Sequence, residues 1–168
     1  QLFIKNNISE NKTDFNKIKI LLSDVDGVLT DAGMYYTESG DEFKKFCTLD
    51  GMGLQLLQKT GVKVGILTSE DRNLNRRRAK KLNLDFDFHG VQDKLKIVKD
   101  LCKKENISIY EIAYIGDDVN CFELLSSVGV AACPSNAVDK IKNIPNIIKL
   151  SKNGGDGVVR EFIELILQ

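Results

Sequence analysis

After residue 17 the chain alternates short apolar runs with longer amphipathic stretches, and few folds accommodate that rhythm. Strands are expected at residues 19–23, 63–67, 86–89, 112–115, 128–131 and 147–149. Helices are expected at residues 51–59, 73–82, 94–104, 119–126, 137–142 and 158–167. Such alternation implies an α/β fold, a three-layer Rossmann-like arrangement with a mostly parallel sheet covered on both faces. Residues 94–104 illustrate the pattern: Leu95, Val98, Leu101 and Cys102 form one stripe, and most other positions are charged. The 168 residues suffice for one domain with a real core. The polar opening, with Asn6, Asn7, Asn11 and Asn16, reads as a linker or tail over residues 1–16, leaving 17–168 as the folded domain.

One segment interrupts the alternation. Residues 33–37 and 42–46 flank Glu38-Ser39-Gly40-Asp41, the signature of a β-hairpin with a glycine-containing turn. It carries Tyr35, Tyr36, Phe43 and Phe46, and exposed apolar patches of that size are unusual on monomers. Burial of these aromatics against a partner is therefore expected. Overall charge excludes other partners. Twenty-four basic residues balance twenty-four acidic ones, so neither nucleic acid nor a membrane surface is favoured. No apolar run approaches the length of a membrane span. Cys47, Cys102, Cys121 and Cys133 form no CxxC pair, which argues against zinc and for a reduced, cytoplasmic chain.

The expected strand ends carry the chemistry. Asp24-Val25-Asp26-Gly27 follows the first apolar run and places two carboxylates at the carboxyl end of a buried strand, where ligands bind in open α/β sheets. Two carboxylates about 4 Å apart repel by roughly 4 kcal/mol at an effective dielectric near 20. Such a pair persists where a cation neutralises it or where acid–base chemistry uses it. Thr68-Ser69 ends the second strand, Lys94 opens a helix after the third, and Gly116-Asp117-Asp118 ends the fourth. A parallel sheet gathers all of these groups along one edge. The set suits phosphoryl transfer: carboxylates for Mg²⁺, a nucleophilic carboxylate, a second as acid and base, and Lys94, Thr68 and backbone N–H groups near Asp26 and Gly27 for the phosphoryl oxygens. Arg72, Arg76 and Arg78 are candidates for a substrate carboxylate. His89, the only histidine, is assigned no role.

Asp24-Val25-Asp26-Gly27-Val28, Thr68, Lys94 and Gly116-Asp117-Asp118 resemble, in order and spacing, the four motifs of the haloacid dehalogenase superfamily of phosphatases. The resemblance implies Asp24 as nucleophile and Asp26 as general acid and base. It implies a phosphate site at Thr68 and Lys94, and Mg²⁺ on Asp24, the Asp26 carbonyl and Asp117, with Asp118 in support. The short gaps from Asp26 to Thr68 and from Lys94 to Asp117 leave no room for a cap domain. With Asp24 through Asp31, the hairpin, Arg76-Arg77-Arg78-Ala79 and Gly154-Gly155-Asp156-Gly157, the chain is similar to the capless 3-deoxy-manno-octulosonate 8-phosphate phosphatase family. That family serves lipopolysaccharide biosynthesis and includes relatives acting on nine-carbon sugar acids such as sialic acid 9-phosphate. It also includes phosphatase-like domains joined to sialic acid cytidylyltransferases. The resemblance implies a homotetramer in which neighbouring subunits cover the active site, and it brings Arg160 near a site.

Two departures stand out. Octulosonate enzymes usually follow the motif threonine with Gly-Arg, whereas this chain has Ser69-Glu70. Glu70, with Lys81, resembles the nononate branch and favours a nine-carbon substrate, the octulosonate ester standing next. Ser69, Glu70, Arg78 and Gly27 thus join Thr68 and Lys94 as expected phosphate- or substrate-binding residues. The fourth motif usually carries a further Asp, and Asn120-Cys121 occupies that stretch, which implies weakened metal binding. Two other readings use the same residues: a non-catalytic oligomerisation domain of a cytidylyltransferase, and a receiver-type phospho-switch. A receiver places its acidic pair and its phosphorylated Asp on different strands, so the position of Asp24 relative to Asp26 separates these classes.

Overall fold

A computed structural model describes residues 13–168. Six parallel strands form one sheet: β1 (Ile20–Ser23), β4 (Lys63–Leu67), β5 (Phe86–Phe88), β6 (Ile112–Ile115), β7 (Val130–Cys133) and β8 (Ile148–Lys149). Their order is β5-β4-β1-β6-β7-β8. The chain therefore winds outward from β1 in one direction through β4 and β5, then in the other through β6, β7 and β8. The winding reverses between β1 and β6, and a crevice opens above the carboxyl ends of the strands at such a point.

Among the described residues six α-helices cover the sheet: α1 (Thr48–Gln58), α2 (Asn73–Lys81), α3 (Lys94–Glu105), α4 (Phe122–Leu125), α5 (Asp139–Lys142) and α6 (Val158–Ile166). Strand alternation divides the core in two. Leu21, Val64, Ile66, Ala113 and Ile115 face one side, against Leu54 and Leu57 of α1 and Val158, Val159, Phe162 and Ile163 of α6. Ile20, Leu22, Leu67, Ile112 and Tyr114 face the other, against Val98, Leu101 and Cys102 of α3 and Leu124 and Leu125 of α4. Glycines let α1 and α6 approach, since a Cβ on Gly53 would lie 3.0 Å from the Arg160 side chain. α1 also caps α6: Gly157 brings no side-chain acceptor, and Asp50 Oδ1 accepts the Arg160 N–H at 2.9 Å instead.

The expected elements are present, with shifted ends. β7 starts at Val130 rather than 128 because Val128 still donates to Leu124 at the end of the preceding turn. Gly129 then passes within van der Waals contact of the Tyr110 backbone. The helix expected at 119–126 divides into a tight turn, Val119–Cys121, and α4. Side-chain packing on the core begins at Phe15, and residues 1–12 of the expected linker lie outside the described residues.

The hairpin pairs β2 (Tyr35–Tyr36) with β3 (Glu42–Phe43), shorter than the expected arms, and Thr30 bridges to Phe46. Tyr35, Tyr36 and Phe43 are exposed, as expected, but Phe46 is not part of that patch: it packs on the core with the Arg78 guanidinium over its ring. Among the described residues the hairpin is the only insertion between β1 and α1, and there is no cap domain. No described helix is long and apolar enough to cross a membrane.

The loop after β1 is braced by the distant C-terminal segment. The Gly155 N–H donates to the Val28 carbonyl at 3.0 Å, and a Cβ on Gly154 would fall 1.9 Å from the Gly27 oxygen. Gly154→Ala must displace one of these backbones. It is expected to destabilise the fold by about 2 kcal/mol, a drop in Tm of roughly 4–8 °C at this chain length, as read by thermal denaturation.

Candidate active site

Asp24 leaves β1 at the reversal point, and its N–H donates to the Ile115 carbonyl of β6 at 3.0 Å. The chain then turns sharply through Asp26 and Gly27, which has φ +82°. Gly27 is required twice over: the positive φ suits glycine, and a Cβ there would lie 2.0 Å from Asp117 Oδ2. Thr30 holds the turn, its Oγ1 accepting the N–H groups of Gly27 (3.3 Å) and Ala32 (3.2 Å). A cleft of about 320 Å³ opens above, lined by Asp24, Asp26, Ala32, Met34, Thr68, Ser69, Glu70, Asp117, Asp118 and Asn120.

Asp24 is 5% exposed, and donors fix both of its carboxylate oxygens. Oδ1 accepts the Val25 N–H at 2.8 Å. Oδ2 accepts from the Lys94 ammonium at 2.7 Å and from the Cys121 thiol at 2.9 Å. Lys94, the first residue of α3, also reaches the Tyr114 hydroxyl (3.2 Å) and Cys121 Sγ (3.3 Å). Burial alone pulls the Lys94 ammonium down, but Asp24 more than offsets it and the group stays charged. Burial, reinforced by Asp24, pushes the Cys121 thiol up to about 12, so sulfur acts as a neutral donor.

Across the cleft, burial first and then Asp24 and Asp118 push the Asp117 carboxyl up to about 7. Asp24, Asp117 and Cys121 each offer a ligand atom within 4.8 Å of the others. The oxygens are hard donors suited to Mg²⁺, whereas a thiol is a poor one. Asp118 Oδ1 caps the following turn through the Val119 N–H at 2.6 Å. Thr68 is buried at the end of β4, its Oγ1 accepting the Glu70 N–H at 3.2 Å, and Ser69 accepts from Asn120 Nδ2 at 3.4 Å.

Lys44 enters this site unannounced by any motif. It follows β3, and its ammonium pairs with Glu70 and lies 2.8 Å from Asp26 Oδ1, close but not aligned as a directed hydrogen bond. Burial pushes the Asp26 carboxyl up, outweighing Lys44. For Glu70, burial is outweighed by Lys44 and Asp26, and its carboxyl is held below the usual range. Tyr114 was equally silent in the sequence, a strand tyrosine whose hydroxyl lies beneath Lys94. Period-two alternation is the signal that reveals Lys44: Glu42 and Lys44 point inward while Phe43 and Lys45 point outward.

The arginines sit elsewhere. Arg78 donates to the Cys47 carbonyl at 3.1 Å and stacks on Phe46, outside the residues lining the cleft. α2 carries it over α1, where a Cβ on Gly51 would lie 3.0 Å from its guanidinium. Arg72 faces Glu42, Arg76 pairs with Asp71, and Arg160 pairs with Glu164 on its own helix. His89 pairs with Asp87 away from the cleft lining.

A parallel sheet whose first strand runs into a buried carboxylate, met there by a hydroxyl, a buried lysine and an acidic turn after β6, defines a class. The chain belongs to the haloacid dehalogenase-like hydrolases, whose family profile matches residues 72–162. It is 34% identical over 151 residues to the 3-deoxy-D-manno-octulosonate 8-phosphate phosphatase of Haemophilus influenzae, covering 90% of this chain and 83% of that one. The Moraxella catarrhalis phosphatase of that name, solved with magnesium, phosphate and KDO, superposes with a TM-score of 0.86 at 35% identity, covering 91% of this chain and 89% of that one. A cobalt-bound Haemophilus influenzae structure gives 0.86 at 33% identity, covering 92% and 90%. Within the class, the chain is a member of the 3-deoxy-D-manno-octulosonate 8-phosphate phosphatase family, and so a phosphoric monoester hydrolase.

The position of Asp117 gives a pH signature. Its folded carboxyl titrates near about 7 and its unfolded one near about 4, so its neutral form favours folding. That contribution is complete below pH 4 and is lost as pH rises towards 7. Without metal, Asp117→Asn is expected to match the wild type near pH 4. Above pH 7 it is expected to exceed the wild type by roughly 2–4 kcal/mol, as read by denaturant unfolding across pH.

Proposed function

We propose that this chain is a Mg²⁺-dependent phosphatase of phosphorylated 2-keto-3-deoxy sugar acids, acting through transient phosphorylation of Asp24. The observation that carries the reading is the charge at the reversal point. Five carboxylates line the cleft, and the two buried ammonium groups, Lys44 and Lys94, are already paired with three of them. An anionic ester enters such a cleft only with a cation present. Asp24, Asp117 and the Asp26 carbonyl are the oxygens to hold Mg²⁺, which, when bound, offsets charge on the phosphoryl oxygens.

The residues divide the work. An Asp24 oxygen attacks phosphorus, forming an O–P bond as the ester P–O bond breaks, and Asp26 gives its proton to the departing sugar oxygen. Water then attacks the phosphoryl group, Asp26 takes the proton, and Asp24 leaves as carboxylate. Lys94, Thr68 and Ser69 steady the phosphoryl oxygens, with backbone N–H groups near Gly27. Asp118 supports the metal side of the cleft. Asp24 and Asp26 both follow β1, which supports a phosphatase over a phospho-switch.

The family membership favours the eight-carbon octulosonate ester. Glu70 on the cleft wall favours the second reading, a nine-carbon nononate or sialic acid 9-phosphate. Arg78, outside the cleft of its own chain, would serve substrate only across a subunit boundary. A homotetramer would cover the exposed Tyr35, Tyr36 and Phe43 and close the capless cleft from a neighbouring copy.

Phosphate release from a panel of eight- and nine-carbon sugar acid esters with Mg²⁺ tests this reading. One ester is expected to stand clearly above the rest, with Asp24→Asn, still folded by circular dichroism, retaining less than about a hundredth of the rate. Equal, poor rates on every ester would overturn the sugar-acid assignment. Cys121→Asp, restoring an oxygen ligand beside Asp24, is expected to lower the Mg²⁺ concentration at half-maximal rate by roughly tenfold, the scale of a change at the metal's supporting shell.

A further inference from the structure

Lys44 belongs to none of the motifs, yet its side chain is 0% exposed on a hairpin whose neighbouring residue, Phe43, is 56% exposed. An ammonium group withdrawn from water is costly unless it is paired. Its partners come from two different strand ends: Asp26 after β1 and Glu70 after β4. Without the lysine, Asp26 faces Glu70 and Asp24 as like charges and gains by turning outward, since its side chain is already 31% exposed. The hairpin is anchored to the same loop through the Thr30–Phe46 bridge, so Lys44 arrives from a fixed base.

We infer that Lys44 is a positioning residue, holding the Asp26 side chain in the cleft beside Asp24 so that it can deliver a proton to the leaving oxygen. The inference rests on the proposed reading of Asp26 as general acid. In the step concerned, the Asp24–phosphorus bond forms, the phosphorus–ester oxygen bond breaks, and the Asp26 proton moves to that oxygen. An alkyl leaving group such as a sugar needs the proton. A p-nitrophenolate leaving group does not.

The test compares kcat/KM, which reports the phosphorylation step, for a sugar acid phosphate and for p-nitrophenyl phosphate. The proteins are wild type, Lys44→Met, Lys44→Arg and Asp26→Asn, each with its Tm measured. General acid catalysis contributes about 10²–10⁴-fold. Lys44→Met is therefore expected to lose roughly tenfold or more on the sugar ester beyond its loss on the aryl ester. Lys44→Arg, which keeps a cation, is expected to recover part of that difference. Asp26→Asn is expected to show the same leaving-group dependence, more strongly. A purely structural lysine would lower both substrates by one factor, and that result alongside a discriminating Asp26→Asn would overturn the inference. An Asp26→Asn that fails to discriminate would instead overturn the assignment of Asp26, and the role of Lys44 with it. Should Lys44→Met melt below assay temperature, the comparison of Lys44→Arg with wild type decides: a greater loss on the sugar ester than on the aryl ester supports the inference, and an equal factor on the two overturns it.

Discussion

The buried pair between Lys94 and Asp24 is the constraint around which the site is arranged. An ammonium and a carboxylate 2.7 Å apart, almost wholly out of water, add little net stability, because desolvation consumes most of their attraction. Removing either one leaves an orphan charge, which costs about 3–5 kcal/mol. The surroundings accordingly supply neutral partners: the Cys121 thiol donates to the same oxygen, the Val25 N–H donates to the other, and the Tyr114 hydroxyl accepts from the lysine. β1 ends where it does so that Asp24 meets a lysine carried by α3 on one face of the sheet. The fold is thus arranged to hold the Asp24 carboxylate in one orientation rather than to gain energy from the pair.

The sheet was legible because alternation and amphipathic stripes respond to burial, and burial decides the register of every central strand. The site was legible in its main-chain positions, since Asp24, Thr68, Lys94 and Asp117 each end a strand or open a helix. Their meeting then follows from parallel topology alone. What stayed hidden depends on tertiary contact. β7 begins late because the turn before it is still closing on Leu124. Phe46 looked like its hairpin neighbours but found the core and Arg78. Arg78 followed, since a guanidinium stacked on that ring and bonded to Cys47 is not aimed at its own cleft.

Lys44 and Cys121 were hidden for opposite reasons. Lys44 sits in a charged, short, twisted hairpin, where composition suggests solvent and only alternation suggests otherwise. Cys121 was read as a missing aspartate, a subtraction. Its thiol instead adds a donor to Asp24 and, at a pKa of about 12, brings no further negative charge to a cleft already crowded with carboxylates.

The glycine pair at Gly154 and Gly155 has a consequence for how the enzyme comes into being. The turn that aims Asp26 rests on a segment more than a hundred positions later in the chain, and contacts so far apart in sequence form late and slowly. During synthesis β1 emerges well before its brace, and the turn after it has nothing to lean on until Gly154 and Gly155 have left the ribosome. A nascent chain that stops short of Gly154 would carry Asp24, Thr68, Lys94 and Asp117 and still lack the brace for the turn that holds Asp26, so a later segment decides when an earlier one takes its final shape.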